Sequence, residues 1–242
     1  MTIDVRPQGE VIPQDDARAA FVRQRREEIR PPKFADKFSV LDFDSAPMPV
    51  ISMFEPPEQT DLYKYKITVR GEDLRSRTTT WDQIWGQMPV RTVEAALVCQ
   101  IFNWHEQVRW HGVRLSDFLE ATGLTTKDDG YLAIHSRDGH YFETLSRDEA
   151  MDPRVMLAIG VNGEPLPHEF GGPVRLVVPF LQGYKSVKWV SAVHAYPRDP
   201  VGIKRMLGQS KTGRLGQAWL DRLGIALPEG RAGDPLVPDA WE

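Results

Sequence analysis

Two dipeptides, Asp138-Gly139 and Asn162-Gly163, constrain this chain more than any other feature. Each lies between short apolar stretches: "YLAIHS" and "HYFETLS" flank the first, "VMLAIG" and "EPL" the second. Asp-Gly and Asn-Gly tolerate the positive φ angles of the tight turns whose twist matches that of paired strands. Both stretches are therefore read as hairpins. The helix-like segments are all short. They are "TTTWDQIWGQM" with Thr80 as N-cap, "RLSDFLEATGL" from near Ser116 to a stop at Gly123, "SRDEAMD" and "GQAWLDRLGIAL". The strict strand–helix alternation of a parallel doubly wound sheet is missing. The expected class is α+β, with mixed and antiparallel β-sheets and short peripheral helices.

Other strands are expected where apolar residues alternate or run together. "LYKYKITVRG" (62–71) alternates up to a glycine turn. "TVEAALVCQIF" is β-branched and apolar, a buried strand with Cys99 near its C-terminal end and a loop after it. "GPVRLVVPF" and "KSVKWVSAVHAY" read as strands separated by "LQGY". Residues 1–60 are rich in proline and charge, with a short helix expected near Asp15 or Asp16. The stretch from Arg30 to Gln59 is too proline-dense for a long helix or a central strand. It reads as an extended arm docked through Phe38, Leu41, Phe43 and Phe54. The expected organisation is an arm (1–60), a main domain (61–200), and a C-terminal helix and tail (201–242) packed on that domain.

With 242 residues the chain can bury a sizeable core without disulfides. Its net charge of −4 argues against non-specific nucleic-acid binding, which needs a basic face. No run approaches the ~20 apolar residues of a membrane span. The first residues, "MTIDVRPQGEVIPQDD", lack the apolar core of a secretory signal. Arg25 and Arg26 are followed by acidic residues and prolines rather than by an apolar stretch. The expected location is cytoplasmic, and a processed precursor would look the same.

Cys99 is the only cysteine. It is open to three readings. Free cysteine is among the most buried residue types, so it can be a small hydrophobe. It can be a nucleophile, with His105, His111 or His135 as its base. It can also ligate a transition metal whose other donors come from a cofactor, since soft thiolates suit such metals. Structural zinc would want further thiols. A large anionic cofactor would need cations and backbone N–H groups. "GGPVRLVVPFLQGYKSVKW" offers a glycine pair, Arg175, Gly183, Lys185, Ser186 and Lys188.

Four motifs narrow the choice. An apolar strand ends in Cys99 and leads to Trp110-x-Gly112-Val113-x-Leu115. Asn162-Gly-x-Pro-Leu-Pro167 follows, then a Gly-x-Pro-x-Arg strand from Gly171 to Pro179, then Gly183-Tyr-Lys-x-Val-Lys-Trp189. In order and spacing these resemble the molybdopterin-binding domain of the sulfite oxidase family, over about residues 60–195. The resemblance implies that fold, and a molybdenum–molybdopterin cofactor with one pterin per metal. It implies that Cys99 ligates the metal, and that Arg175 and Ser186-Val187-Lys188 hold the pterin phosphate, with Lys185 adding charge. It places Ser136 near the pterin and Tyr141 toward the metal. Phe54 and Glu55, in "MFEPP", match an N-terminal segment that touches the cofactor in shorter relatives.

The implied activity is oxygen-atom transfer on a small sulfur oxyanion or an S- or N-oxide. Electrons would be exchanged with a separate haem or flavin protein, since no cluster or haem motif is present. The chain departs from the sulfite oxidases proper after the cysteine. Gln100-Ile-Phe-Asn-Trp104 stands in place of Gly-Asn-Arg-Arg. The substrate-binding arginines are therefore unassigned, with Arg109 and His105 as pocket candidates. A methionine-sulfoxide-reductase-like member, a non-catalytic subunit of the same fold and a cysteine-dependent hydrolase are the alternatives.

Overall fold

A computed structural model of the protein describes residues 39–41, 50–85, 88–99, 104–124, 130–210 and 212–227. The helix expected near Asp15, the arm residues Phe38 and Phe43 and the tail beyond residue 227 lie outside the described residues. Within the arm, β1 (Ser39–Leu41) and β2 (Val50–Ser52) pair antiparallel as a two-stranded ladder of their own. This refines the expectation of a purely extended arm.

Two five-stranded sheets form the body. The first contains β5 (Arg91–Cys99), β6 (Trp104–Arg114), β9 (Met156–Val161), β10 (Glu164–Pro165) and β11 (Arg175–Val177), all paired antiparallel. The second has the order β4 (Ser76–Thr80), β3 (Lys66–Arg70), β12 (Val190–Tyr196), β7 (Tyr131–Ser136), β8 (Phe142–Ser146). Its β3–β12 pair is parallel and the others antiparallel. The expected mixed and antiparallel α+β architecture is what the chain adopts. One core lies between the sheets. It joins Ile67, Leu132, Ile134 and Val193 of the second sheet to Val113, Leu157 and Leu176 of the first, with Phe118 between them.

Both hairpin turns form as read. Gly139 has φ 78°, and Asn162 and Gly163 have φ 55° and 91°. Helix Leu115–Thr122 ends at Gly123 in the left-handed region. Helix Arg147–Met151 starts with a capping box, in which Ser146 Oγ accepts from Glu149 N–H and the Glu149 carboxylate accepts from Ser146 N–H. Helix Gln217–Leu223 stops at left-handed Gly224 and covers β5 through Leu220, which packs with Ala96 and Val98.

Four local expectations are corrected. First, the long strand β6 was not expected: it begins at Trp104, beyond residues 100–103, which lie outside the described residues, and pairs with β5 from Arg91↔Gly112 to Cys99↔Trp104. Its apolar alternation is broken because His105 and Glu106 are both fully buried. Second, the helix read over "TTTWDQIWGQM" is confined to Trp81–Trp85, and Ser76–Thr80 is an exposed edge strand. Thr80 still precedes the helix, and its N–H donates to Gln83 Oε1. Third, the strand read from Lys185 begins only at Val190, because Gly183–Lys185 is a 3-10 turn and Trp189 has φ 50°. Finally, a short helix, Ile203–Met206, was not expected. Among the described residues no helix is long and apolar enough to cross a membrane.

Candidate functional site

A 3-10 turn at His168–Phe170 gathers the cations. Its three successive carbonyls each accept one side-chain donor: His168 O from Trp189 Nε1 (2.8 Å), Glu169 O from Lys188 Nζ (2.7 Å), and Phe170 O from Arg175 Nη1 (2.9 Å). Arg175 opens β11 and is 3% exposed. Its Nη2 donates to Ser186 O at 3.1 Å, and its guanidinium carbon stands 5.1 Å from the centre of the Trp110 ring. Among the described residues neither cation bonds a carboxylate. Burial lowers the Arg175 pKa to about 10. Burial first, then the Arg175 charge, pull Lys188 down to about 7, with the Glu169 carboxylate offsetting part of that. Arg175 is buried and Lys188 half-buried; like charges this close raise each other's cost, and an anion between them would relieve it.

The glycines make room. Gly171, at φ 99°, lies so close to Lys188 that a Cβ would come within 2.8 Å of the lysine Cβ and Cγ. Gly112, where the β6–β9 register shifts, would drive a Cβ into the Leu157 carbonyl. That close approach explains the Trp-x-Gly-Val-x-Leu motif. Trp110 supports Arg175, Gly112 lets β6 lie close against β9 at the register shift, and Val113 and Leu115 enter the core.

The turn Gly183–Lys185 connects this anion-ready pair to the cysteine strand. A Cβ on Gly183 would lie 2.9 Å from the Val98 carbonyl, one residue before Cys99. Cys99 ends β5 opposite Trp104. Its side chain, and residues 100–103, lie outside the described residues. On the same turn, Tyr184 O accepts the Tyr141 hydroxyl at 2.7 Å. Burial, then Glu143 and other neighbouring groups, hold the Tyr141 phenol well above its ordinary pKa, so it stays protonated. Ser186 is buried, its Oγ accepting from Val178 N–H at 3.0 Å. Val187 lies in the core, and its carbonyl accepts from Leu176 N–H. The Lys188 N–H donates to no group among the described residues.

The other expected residues fall as follows. Phe54 is half-buried, its ring 5.1 Å from that of His140, which precedes Tyr141; Glu55 is exposed. Ser136 ends β7, where its Oγ accepts from Asp138 N–H at 3.3 Å, within the hairpin turn. Lys185 faces away from the cation pair into a buried contact: its Nζ is 3.0 Å from Glu143 Oε2 and donates to Thr144 O. Arg109 pairs with Glu94 across exposed strands. His105 is fully buried, across from Val98 and edge-on to Trp219.

His111 is spent on structure. Its Nε2 accepts from Gly163 N–H, so its proton sits on Nδ1 and is donated to Thr92 Oγ1 at 3.0 Å. Burial, then Arg109, lower its pKa. His135 pairs with His194 and Phe142. Sequence reasoning missed Glu143. One signal pointed to it: the hairpin register sets it opposite Ile134, on the core face of β8.

Comparison with known proteins agrees with this geometry. Residues 53–203 match the oxidoreductase molybdopterin binding domain family. The chain belongs to this family. It is 30% identical over 165 residues to the nitrate reductase (NADH) of Ulva prolifera, covering 56% of this chain and 19% of that protein. It is 34% identical over 153 residues to the protein-methionine-sulfoxide reductase catalytic subunit MsrP of Xanthomonas axonopodis pv. citri, covering 57% of this chain and 47% of that one. The crystal structure of the sulfane dehydrogenase SoxCD from Paracoccus pantotrophus superposes with a TM-score of 0.57 at 20% identity, over 76% of this chain and 56% of that one. This chain spans less than half the length of the curated relatives named here. The expected family, fold and molybdopterin cofactor are borne out.

The residues present fit the cofactor of the molybdopterin-binding family. Its phosphate is a dianion, and the site offers buried Arg175 and half-buried Lys188, with no carboxylate bonded to either and an uncommitted Lys188 N–H among the described residues, and a glycine in place of any side chain at position 171. The turn just before Lys188 packs against Val98, near the end of β5.

Proposed function

We propose that this chain is a molybdenum-dependent oxidoreductase domain that transfers an oxygen atom to or from a small sulfur oxyanion or an S- or N-oxide. When bound, the cofactor would supply two-electron chemistry between the +6 and +4 states of the metal, and the protein would orient and tune it. In this reading the Cys99 thiolate is the protein's ligand to the metal. Arg175 and Lys188 hold the phosphate, with the backbone of Ser186–Lys188 lining it. Phe54, Glu55 and Ser136 border the pterin. Tyr141 holds the Tyr184 carbonyl, and with it the turn beside Cys99. A separate haem or flavin protein would exchange the electrons.

One observation carries the proposal. Arg175 and Lys188, which bond no carboxylate among the described residues, converge on the turn His168–Phe170, and Lys188 follows the turn Gly183–Lys185, which abuts the strand that ends in the chain's only cysteine. Metal and pterin analysis of the purified protein tests it. About one molybdenum and one pterin per chain support it, and neither would sink it.

A methionine-sulfoxide-reductase-like activity is the second reading, favoured by the relatives named MsrP. Turnover of a methionine-sulfoxide peptide, compared with sulfite oxidation, separates the two. The hydrolase reading loses support, since both nitrogens of His111 are committed and His135 packs with His194.

A further inference from the structure

Glu143 is 1% exposed, on the core face of β8 opposite the buried Ile134. Its two oxygens serve two partners. Oε2 pairs with Lys185 Nζ at 3.0 Å, and Oε1 accepts the Lys204 N–H at 2.8 Å, in the short helix Ile203–Met206. Lys185 Nζ also donates to Thr144 O at 3.0 Å. Two glycines clear the space for the pair. A Cβ on Gly202 would collide with the Glu143 carboxylate, and one on Gly213 would come within 2.7 Å of Lys185 Cγ.

A buried ion pair is a poor device for stability alone, because well-packed apolar residues of similar volume often do as well or better. It differs from them in direction. Three elements meet at one carboxylate: strand β8, the turn Gly183–Lys185 and the helix Ile203–Met206. The turn is also where Gly183 abuts Val98, Tyr184 O receives Tyr141, and Ser186 O receives Arg175.

We propose that Glu143 is a positioning residue for the cofactor-binding loop: through Lys185 and the Lys204 amide it sets where Ser186 and Lys188 stand relative to the end of β5. The inference rests on the function proposed above only for the identity of what the loop holds. Glu143 itself touches no cofactor atom in this account.

The test compares wild type, Glu143→Gln and the apolar double variant Glu143→Leu/Lys185→Met. Three quantities are measured: the thermal midpoint, amide hydrogen exchange over residues 183–189 in cofactor-free protein, and the rate of pterin release from loaded protein. Glu143→Gln strands the Lys185 charge. It is expected to lower the midpoint and to speed both exchange and release by on the order of tenfold. The double variant is expected to recover the midpoint while exchange and release stay fast, an outcome that a merely stabilising ion pair would not produce.

Wild-type exchange and release in Glu143→Gln, or recovery of both along with the midpoint in the double variant, would overturn the proposal. If Glu143→Gln does not fold, the double variant alone decides. If wild type takes up no pterin, the proposed function fails, and exchange at residues 183–189 still tests the positioning role.

Discussion

The Tyr141 hydroxyl donates to the main-chain oxygen of Tyr184 at 2.7 Å, joining two residues 43 positions apart. The phenol arises just after the β7–β8 turn, and the carbonyl belongs to the turn beside Val98. With its pKa held well above 10 by burial and neighbouring groups, the phenol keeps its proton across the working range. That proton is already engaged with a backbone oxygen, so Tyr141 first orients the turn.

Tyr141→Phe should therefore weaken cofactor retention as well as turnover. Loss of one such bond costs about 0.5–1.5 kcal/mol of stability. Chemical denaturation and the pterin release rate check this. A variant slow in turnover but unchanged in release would return Tyr141 to a direct role at the metal.

Cys99→Ser should abolish turnover with little change in thermal midpoint, because the side chains differ by one atom while the donor changes from soft to hard. Activity, visible absorption and a melting curve read this together. Retained activity would remove Cys99 from the metal.

Lys188 gives the proposed anion site a pH signature. With its pKa near 7 in the cofactor-free protein, it is charged below that pH and neutral above it. Inorganic phosphate or pyrophosphate should bind more tightly below pH 7 and more weakly above, and Lys188→Met should flatten the dependence. The stability sign is the opposite. The unfolded chain holds this proton up to the ordinary lysine pKa of 10.5, so the cofactor-free fold gains stability as pH rises from 7 toward 10.5. Calorimetric titration and pH-dependent melting check both directions.

Away from this site, His135 and His194 stand 4.5 Å apart between ring centres, close to Arg70. Burial, then His135 and Arg70, lower His194 to about 4. The unfolded chain takes up that proton near 6.5, so stability should fall as pH drops from 6.5 through 4. His194→Gln should blunt the loss, measured as the denaturant midpoint across that range.

Local chemistry made much of the fold legible. Asp138-Gly139 and Asn162-Gly163 turn as hairpins, Gly123 stops its helix and the short helix after Ser146 forms, whereas the last helix, read through Leu227, ends before Gly224. Elements without a local code were missed. β4 is an exposed edge strand with no buried face to impose alternation, and β6 buries His105 and Glu106 side by side. Arg175 and Lys188 were legible as an anion pair because their motifs carry them. The partner of Lys185 was not, since Glu143 comes from another hairpin, 42 positions earlier. Trp110 was visible as a motif, but its place against the Arg175 guanidinium arises only where β6 and β11 both pair with β9.

The contact between Gly183 and the Val98 carbonyl is made by main chain on one side and a residue without a side chain on the other. A side chain at position 183 would force the two apart. The cation-bearing loop can thus lie against the cysteine's strand only because position 183 carries no side chain, and the buried Glu143–Lys185 contact behind it holds it there. Whatever the loop holds is thereby kept near the strand end that carries Cys99.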